Sequence, residues 1–181
     1  MRPPEDLSDG HVLLRLPGKD DVAAVTEACQ DPDIPRWTEV PAPYTERDAR
    51  GWIAEAERAW DRGTGELSLV VVAPDSGDLL GAIGLRVHDR GGVGEVGYWV
   101  RREDRGRGVA TRATRLLSLW AFATLGLSRI ELFAAVENTP SCRVAERAGF
   151  RREGVLRSRI AAKEGRHDAA IYSLLPGDLS A

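Results

Sequence analysis

Arg101 to Leu117 reads RREDRGRGVATRATRLL, with four arginines and two glycines in its first eight residues and an apolar pattern of helical spacing after them. The first amides of a helix have no intrahelical partners and, together with the helix dipole, favour an anion. Gly106 and Gly108 let the backbone approach such an anion without a Cβ in the way. The arginines can add charge-assisted bonds to phosphate oxygens. The stretch therefore predicts a phosphate or pyrophosphate cradle. Two familiar cradles fail on inspection. A Walker loop needs G-x-x-x-x-G-K-S/T, and the stretch has no lysine; a dinucleotide fingerprint needs a third glycine where Thr111 stands.

Such a cradle must be held between a strand and a helix, and the chain supplies both. GVGEVGYWV precedes it as the last of three apolar, β-branched segments, after ELSLVVVAP and DLLGAIGLRVHD, and the turns DSGD and DRGG predict an antiparallel meander. A helix follows over Thr111–Leu125, then a strand over RIELFAAV. TPSCRVAERAGF predicts a short helix with Thr139 as cap, Pro140 at the first helical position and Gly149 as terminator. RREGVLRSRI and EGRHDAAIYSLL close as a hairpin around Glu164-Gly165. At the front, HVLLRLP reads as a strand and KDDVAAVTEACQ as a short helix; DPDIPRWTEVPAPY is loop or broken helix. Thr45 opens a capping box with Asp48, and the helix it starts ends at Gly63. The fold class is α/β, with a mixed, mostly antiparallel sheet of about seven strands and about four helices.

Bulk properties narrow the functions. At 181 residues with no linker or repeat, one domain over 1–181 is expected. Lys plus Arg number 25 against 28 Asp plus Glu, a net charge of -3, so no general nucleic-acid binder is indicated. Cys29 and Cys142 are the only cysteines, and His11, His88 and His167 are scattered, so no metal site is expected. No apolar run approaches membrane-spanning length, and the expectation is a soluble, cytoplasmic protein. Trp52, Trp60 and Trp120 are core candidates, whereas Trp37 among prolines is a candidate for the wall of a substrate pocket.

The segment Arg105-Gly-Arg-Gly108-Val-Ala110 resembles the Q/R-x-x-G-x-G/A acyl-CoA signature of the GNAT N-acetyltransferases. ENTPSCRVAERAGFRREGVLR resembles the N-x-x-S and A-x-x-x-G-F-x-x-E-G-x-L-R pattern of their Rim-type branch, with Asn138, Ser141, Gly149, Phe150, Glu153, Gly154, Leu156 and Arg157 in place. The likeness is dense from Glu95 to Arg157 and weaker over the rest.

The resemblance implies direct transfer of an acyl group from acetyl-CoA, or another short acyl-CoA, to a primary amine. It implies that the amides of Arg105, Gly106, Arg107, Gly108, Val109, Ala110 and Thr111 hold the pyrophosphate and that Val100 pairs with the pantetheine through its backbone. EVGYWV and IELFAAV would splay apart to admit it. Glu95 is the candidate base if its carboxylate faces a buried cleft, with Glu39 or a water relay as rivals. Ser141 is the candidate acid for the leaving thiolate, and Asn138 would bind the pantetheine amide or order a water. Arg112 and Arg115 are candidates for the 3′-phosphate, and Trp37 and Glu39 for substrate contacts. Cys142 reads as a small buried residue rather than a nucleophile. The acceptor is either a protein N-terminus or a small-molecule amine, with homodimer formation left open. A non-catalytic acyl-CoA sensor or scaffold and a succinyl-type transferase are the alternatives.

Overall fold

The structure, a computed structural model, describes residues 6–62, 65–88, 92–162 and 165–179. Its strands are β1 (Leu7–Ser8), β2 (Leu13–Arg15), β3 (Glu66–Val72), β4 (Leu79–His88), β5 (Val93–Val100), β6 (Arg129–Ala135), β7 (Arg151–Ala162) and β8 (Gly165–Leu174). They form one sheet in the order β1-β2-β3-β4-β5-β6-β8-β7. Helices α1 (Val22–Ala28), α2 (Asp33–Trp37) and α3 (Glu46–Arg62) belong to the front half, α4 (Val109–Leu125) and α5 (Thr139–Arg147) to the back half. The eighth strand is the two-residue β1, which pairs with β2, and the fifth helix is the five-residue α2 inside the proline-rich segment. Both are too short to show a periodicity in sequence. The end of α3 at Gly63 and most of the β4–β5 and β7–β8 turns fall outside the described residues.

Two apolar layers sandwich the sheet. On one face, Ala49, Ile53 and Ala56 of α3 and Val22 and Val25 of α1 are buried, and they cluster with Val70 and Val72 of β3, Ala56 excepted. Burying Ile53 alone contributes about 1.5–3 kcal/mol. The predicted capping box starts α3: Asp48 accepts from Thr45 N at 2.8 Å and from Thr45 Oγ1 at 2.6 Å. On the other face, Val109, Ala113, Leu117 and Ala121 of α4 join Ile83, Leu85, Val96, Ile130, Leu132 and Tyr172. Helix α5 is capped by Asn138 rather than Thr139: Asn138 Oδ1 accepts from Ser141 N at 3.2 Å, and Pro140 becomes the second helical residue. Asparagine is the stronger cap, and here it outcompetes the threonine beside it.

One break matters more than the rest of the topology. Strands β5 and β6 run parallel but pair only at Val93 with Arg129, Gly94 with Ile130 and Glu95 with Glu131. Beyond these residues β5 keeps its ladder to β4 as far as Val100, and β6 keeps its ladder to β8 as far as Ala135. A wedge-shaped gap therefore opens in mid-sheet, as the sequence resemblance implied.

The back half is tied together by a charged network on its open face. Arg129 forks onto Glu153 at 2.9 and 2.5 Å and also reaches Glu131 at 2.8 Å, while Ser173 Oγ donates to Glu153 at 2.6 Å. The Arg129 guanidinium, and after it the Ser173 hydroxyl, pull the Glu153 carboxyl down to about 2. A carboxylate with a lowered folded-state pKa adds stability above its unfolded value, about 4.3, and loses it as pH falls through the folded value. Glu153→Gln should therefore lower Tm at pH 7, with the gap to the wild type closing between about pH 4 and pH 2. A gap that stays constant down to pH 2 would sink this assignment.

Candidate active site at the strand split

The cradle predicted from Arg101–Leu117 sits at the open end of the gap. Gly106 and Gly108 adopt φ of +75° and +83°, the left-handed region that glycine alone enters freely. A Cβ on Gly106 would meet no heavy atom within 4 Å, so the space above that turn is open. The first helical amide with a carbonyl partner is Arg112 N, bonded to Gly108 O at 3.0 Å. Among the described residues, the amides from Gly106 to Thr111 have no hydrogen-bond partner, and Val109 and Ala110 are buried. Amides left unpaired in a row at a helix N-terminus favour an anionic acceptor. A pyrophosphate fits that requirement.

The arginines depart from expectation. Asp104, whose side chain is 3% exposed, accepts from Arg101 Nε at 2.7 Å and from Arg107 Nη1 at 2.8 Å. Arg105 pairs with Asp31 and with Asp33 and donates through Nε to Val100 O at 3.2 Å; its own amide turns toward Arg102 O. Arg112 is paired with Asp9 at 2.9 Å, and Arg115 donates to Ala148 O at 3.4 Å. Arg101, Arg105 and Arg107 brace the loop through these aspartates, and Arg112 and Arg115 tie α4 to Asp9 and to Ala148. Among the described residues, the amides left without a partner run from Gly106 to Thr111, and that of Arg105 is not among them.

Along the gap, Arg101 N donates to Leu80 O on β4. In an antiparallel strand the N–H and C=O of one residue point to the same side and alternate along the chain. Tyr98 and Val100 therefore direct their backbone groups into the gap. The Arg105 contact at Val100 O agrees with this. Side chains sort by the same alternation. Tyr98 and Val100 pack with the α4 and α5 layer, whereas Trp99 packs with the α1 and α3 layer and places Glu95 and Gly97 on its own face.

Glu95 thus lies where β5 and β6 part, its side chain 27% exposed and its Oε2 3.8 Å from His88 Nε2. Its cross-strand neighbour Arg86 is bonded to Glu66 at 3.0 Å, and its parallel neighbour Glu131 is bonded to Arg129. Glu39 is exposed on the segment after α2. The pKa of Arg86 is raised, first by the Glu66 hydrogen bond and also by the charges of Glu66, Glu39 and Glu95, so Glu39 acts over the same face. Ser141 stands on the opposite face at the start of α5, with its Oγ 2.9 Å from Tyr98 Oη. The sequence reading missed Tyr98, which no motif marks. Trp37 lies against His167 of β8 with ring centroids 5.7 Å apart and planes tilted by 53°, and His167 Nδ1 lies 3.6 Å from Glu137. Trp37 and Glu39 are thereby set on the side of the sheet that carries Glu95. Cys142 is partly buried with its Sγ 3.9 Å from Ala135 O, and Cys29 is buried, its thiol pushed up to about 12 by loss of water.

A family model described as an acetyltransferase (GNAT) domain matches residues 11–151. The chain belongs to the GNAT acetyltransferases. With membership come acetyl-CoA as acyl donor and an amine as acceptor class, and both suit an amide cradle at the mouth of a split sheet. The protein is 29% identical over 174 residues to p20 of Bacillus licheniformis, named as an N-acetyltransferase, covering 94% of this chain and 96% of that one. It is 41% identical over 100 residues to YdaF of Bacillus subtilis, whose name marks it as an inferred ribosomal N-acetyltransferase; the match spans 55% of each chain. RimJ of Mycobacterium smegmatis, solved in complex with a CoA disulfide, shares the fold at a TM-score of 0.87 and 22% identity, over 100% of this chain and 93% of that one. Among the described residues no cluster of His, Cys, Asp and Glu is arranged to hold a metal, and no helix is long and apolar enough to cross a membrane.

Proposed function

We propose that the protein moves an acetyl group from acetyl-CoA to the amine of a protein N-terminus or a small molecule, with Glu95 as base and Ser141 as acid. The observation that carries this reading is the arrangement around the gap: unpaired amides at its mouth, and a carboxylate and a hydroxyl on opposite faces near its apex. Acetyl-CoA brings the activated thioester carbonyl. The amides of Gly106 to Thr111 hold its pyrophosphate, and Val100 offers its backbone to the pantetheine once Arg105 Nε yields the Val100 carbonyl. Asn138, with Oδ1 committed to capping α5, meets the pantetheine with its Nδ2 donor.

An ammonium acceptor loses two protons in becoming an amide, and the sulfur gains one. Glu95 receives both protons from the nitrogen in turn, one before attack and one as the tetrahedral centre collapses, and passes each to solvent on its own face. Ser141 gives its hydrogen to the sulfur on the other face and regains one from solvent. Opposite faces suit opposite charges, because the amine approaches from the side carrying Glu95, Glu39 and Trp37 while the leaving sulfur ends beside α5.

Thiol release tests the reading, with acetyl-, propionyl- and succinyl-CoA crossed against peptides with free serine or alanine N-termini, polyamines, amino acids and aminoglycosides. Turnover is expected with acetyl-CoA and at least one acceptor, and Ser141→Ala is expected to lower its kcat by about 100-fold. Tight acetyl-CoA binding without release in any combination would replace the transferase with a sensor.

A further inference from the structure

We infer that Tyr98 is a positioning residue for Ser141, holding the serine hydroxyl so that its hydrogen points into the strand split toward the departing sulfur. The inference rests on the reading of Ser141 as the acid. The two residues are 43 positions apart and belong to opposite sides of the gap, Tyr98 to β5 and Ser141 to the helix that follows β6. Tyr98 Oη lies 2.9 Å from Ser141 Oγ and 3.4 Å from Ser141 O. This contact is a polar bridge across the gap where the sheet ladder has ended.

The direction of the bridge follows from chemistry. A carbonyl oxygen only accepts, so Tyr98 is the donor toward Ser141 O. At the shorter contact either oxygen has a hydrogen to give. A phenol is the more acidic of the two hydroxyls, hence the better donor and the poorer acceptor, and its one hydrogen is therefore directed chiefly to Ser141 Oγ, with the 3.4 Å contact to Ser141 O as the weaker arm of a shared bond. Burial pushes the Tyr98 hydroxyl up to about 12, against a smaller opposing effect of the Ser141 hydrogen bond, so it keeps its proton throughout the working range. With its lone pair engaged, Ser141 has its own hydrogen free for a third direction, and a donor that accepts one bond gives a stronger one. Tyr98 transfers no proton in this scheme. It fixes an orientation and polarises the O–H that faces the sulfur.

The test is a double-mutant cycle on the whole protein, with Tyr98→Phe, Ser141→Ala and the pair. Turnover is measured with acetyl-CoA and the fastest acceptor from the thiol-release screen, and the thiol of bound CoA is titrated by its ultraviolet thiolate absorbance. Tyr98→Phe is expected to lower kcat about tenfold, with the KM for acetyl-CoA changed less than about twofold. Both single variants should raise the pKa of the bound thiol by roughly half a unit to one unit, and the double variant no further than Ser141→Ala alone. The inference is overturned if the two losses in kcat add, or if Tyr98→Phe leaves kcat and the thiol pKa at their wild-type values. A fall in kcat matched by loss of CoA affinity and of Tm would make Tyr98 a packing residue and overturn it too. If Ser141→Ala turns over as the wild type does, the acid assignment itself fails, which the other outcomes do not imply.

Discussion

Glu95→Gln is expected to lower kcat by about 10²–10⁴ while leaving acetyl-CoA affinity within about twofold. The argument is one of position and of competing partners. Three carboxylates lie near the apex of the split, and two have their charge engaged or displaced: Glu131 is bonded to Arg129, and Glu39 sits exposed on a loop. Among the described residues no guanidinium is bonded to Glu95, and Arg86 beside it is held by Glu66. Its face is the one opposite Ser141, so the removal of an amine proton and the departure of the sulfur do not compete for one space. The variant keeps the shape of the side chain and loses only its basicity. Raising pH should therefore restore part of its rate, since more acceptor then arrives already deprotonated. If Glu95→Gln turns over normally and Glu39→Gln does not, the base belongs to the loop.

Gly106→Val should weaken CoA binding by at least 100-fold, whereas Arg107→Ala should change it less than about threefold. The comparison separates two ways of holding a pyrophosphate. In the first, amides do the holding, and a β-branched side chain at φ +75° costs roughly 1–3 kcal/mol in backbone strain and intrudes where the anion must approach. Weakening by 100-fold corresponds to about 2.8 kcal/mol, a size that strain and obstruction together reach. In the second, arginines do the holding, and loss of Arg107 should be the costlier change. The bond from Arg107 to the buried Asp104 favours the first. Isothermal titration with CoA, alongside thermal unfolding to confirm that both variants fold, reads the answer directly. Equal losses in the two variants would restore the arginines as ligands.

The sequence made the scaffold legible where local signals agreed. The apolar, β-branched runs of β3, β4 and β5, the Thr45 and Asp48 capping box and the glycines before α4 all depend on residues within a few positions of each other, and all appear in the structure. What escaped notice depends on distance along the chain. Arg105 is matched to Asp31 and Asp33, Arg112 to Asp9, and Tyr98 to Ser141, and no periodicity relates such partners. A run of arginines therefore read as free charge when most of it was already neutralised. The orientation of Glu95 was open in the sequence because alternation fixes only relative faces. Trp99, partly buried against the cluster that α1 and α3 share, is what ties that face to a side of the sheet.

The three residue pairs that join β5 to β6 also have a mechanical meaning. On either side of that seam lies a continuous ladder, so the sheet is built as two plates joined along a short line. Glu95 is mounted on one plate, and Ser141 on the helix attached to the other. The distance between the proposed base and the proposed acid is then an aperture, set by the angle at the seam and not by either strand alone. The Tyr98 hydroxyl spans that aperture like a stay across a pair of open leaves, and Arg105, reaching from the cradle to the aspartates before and within α2, braces its rim.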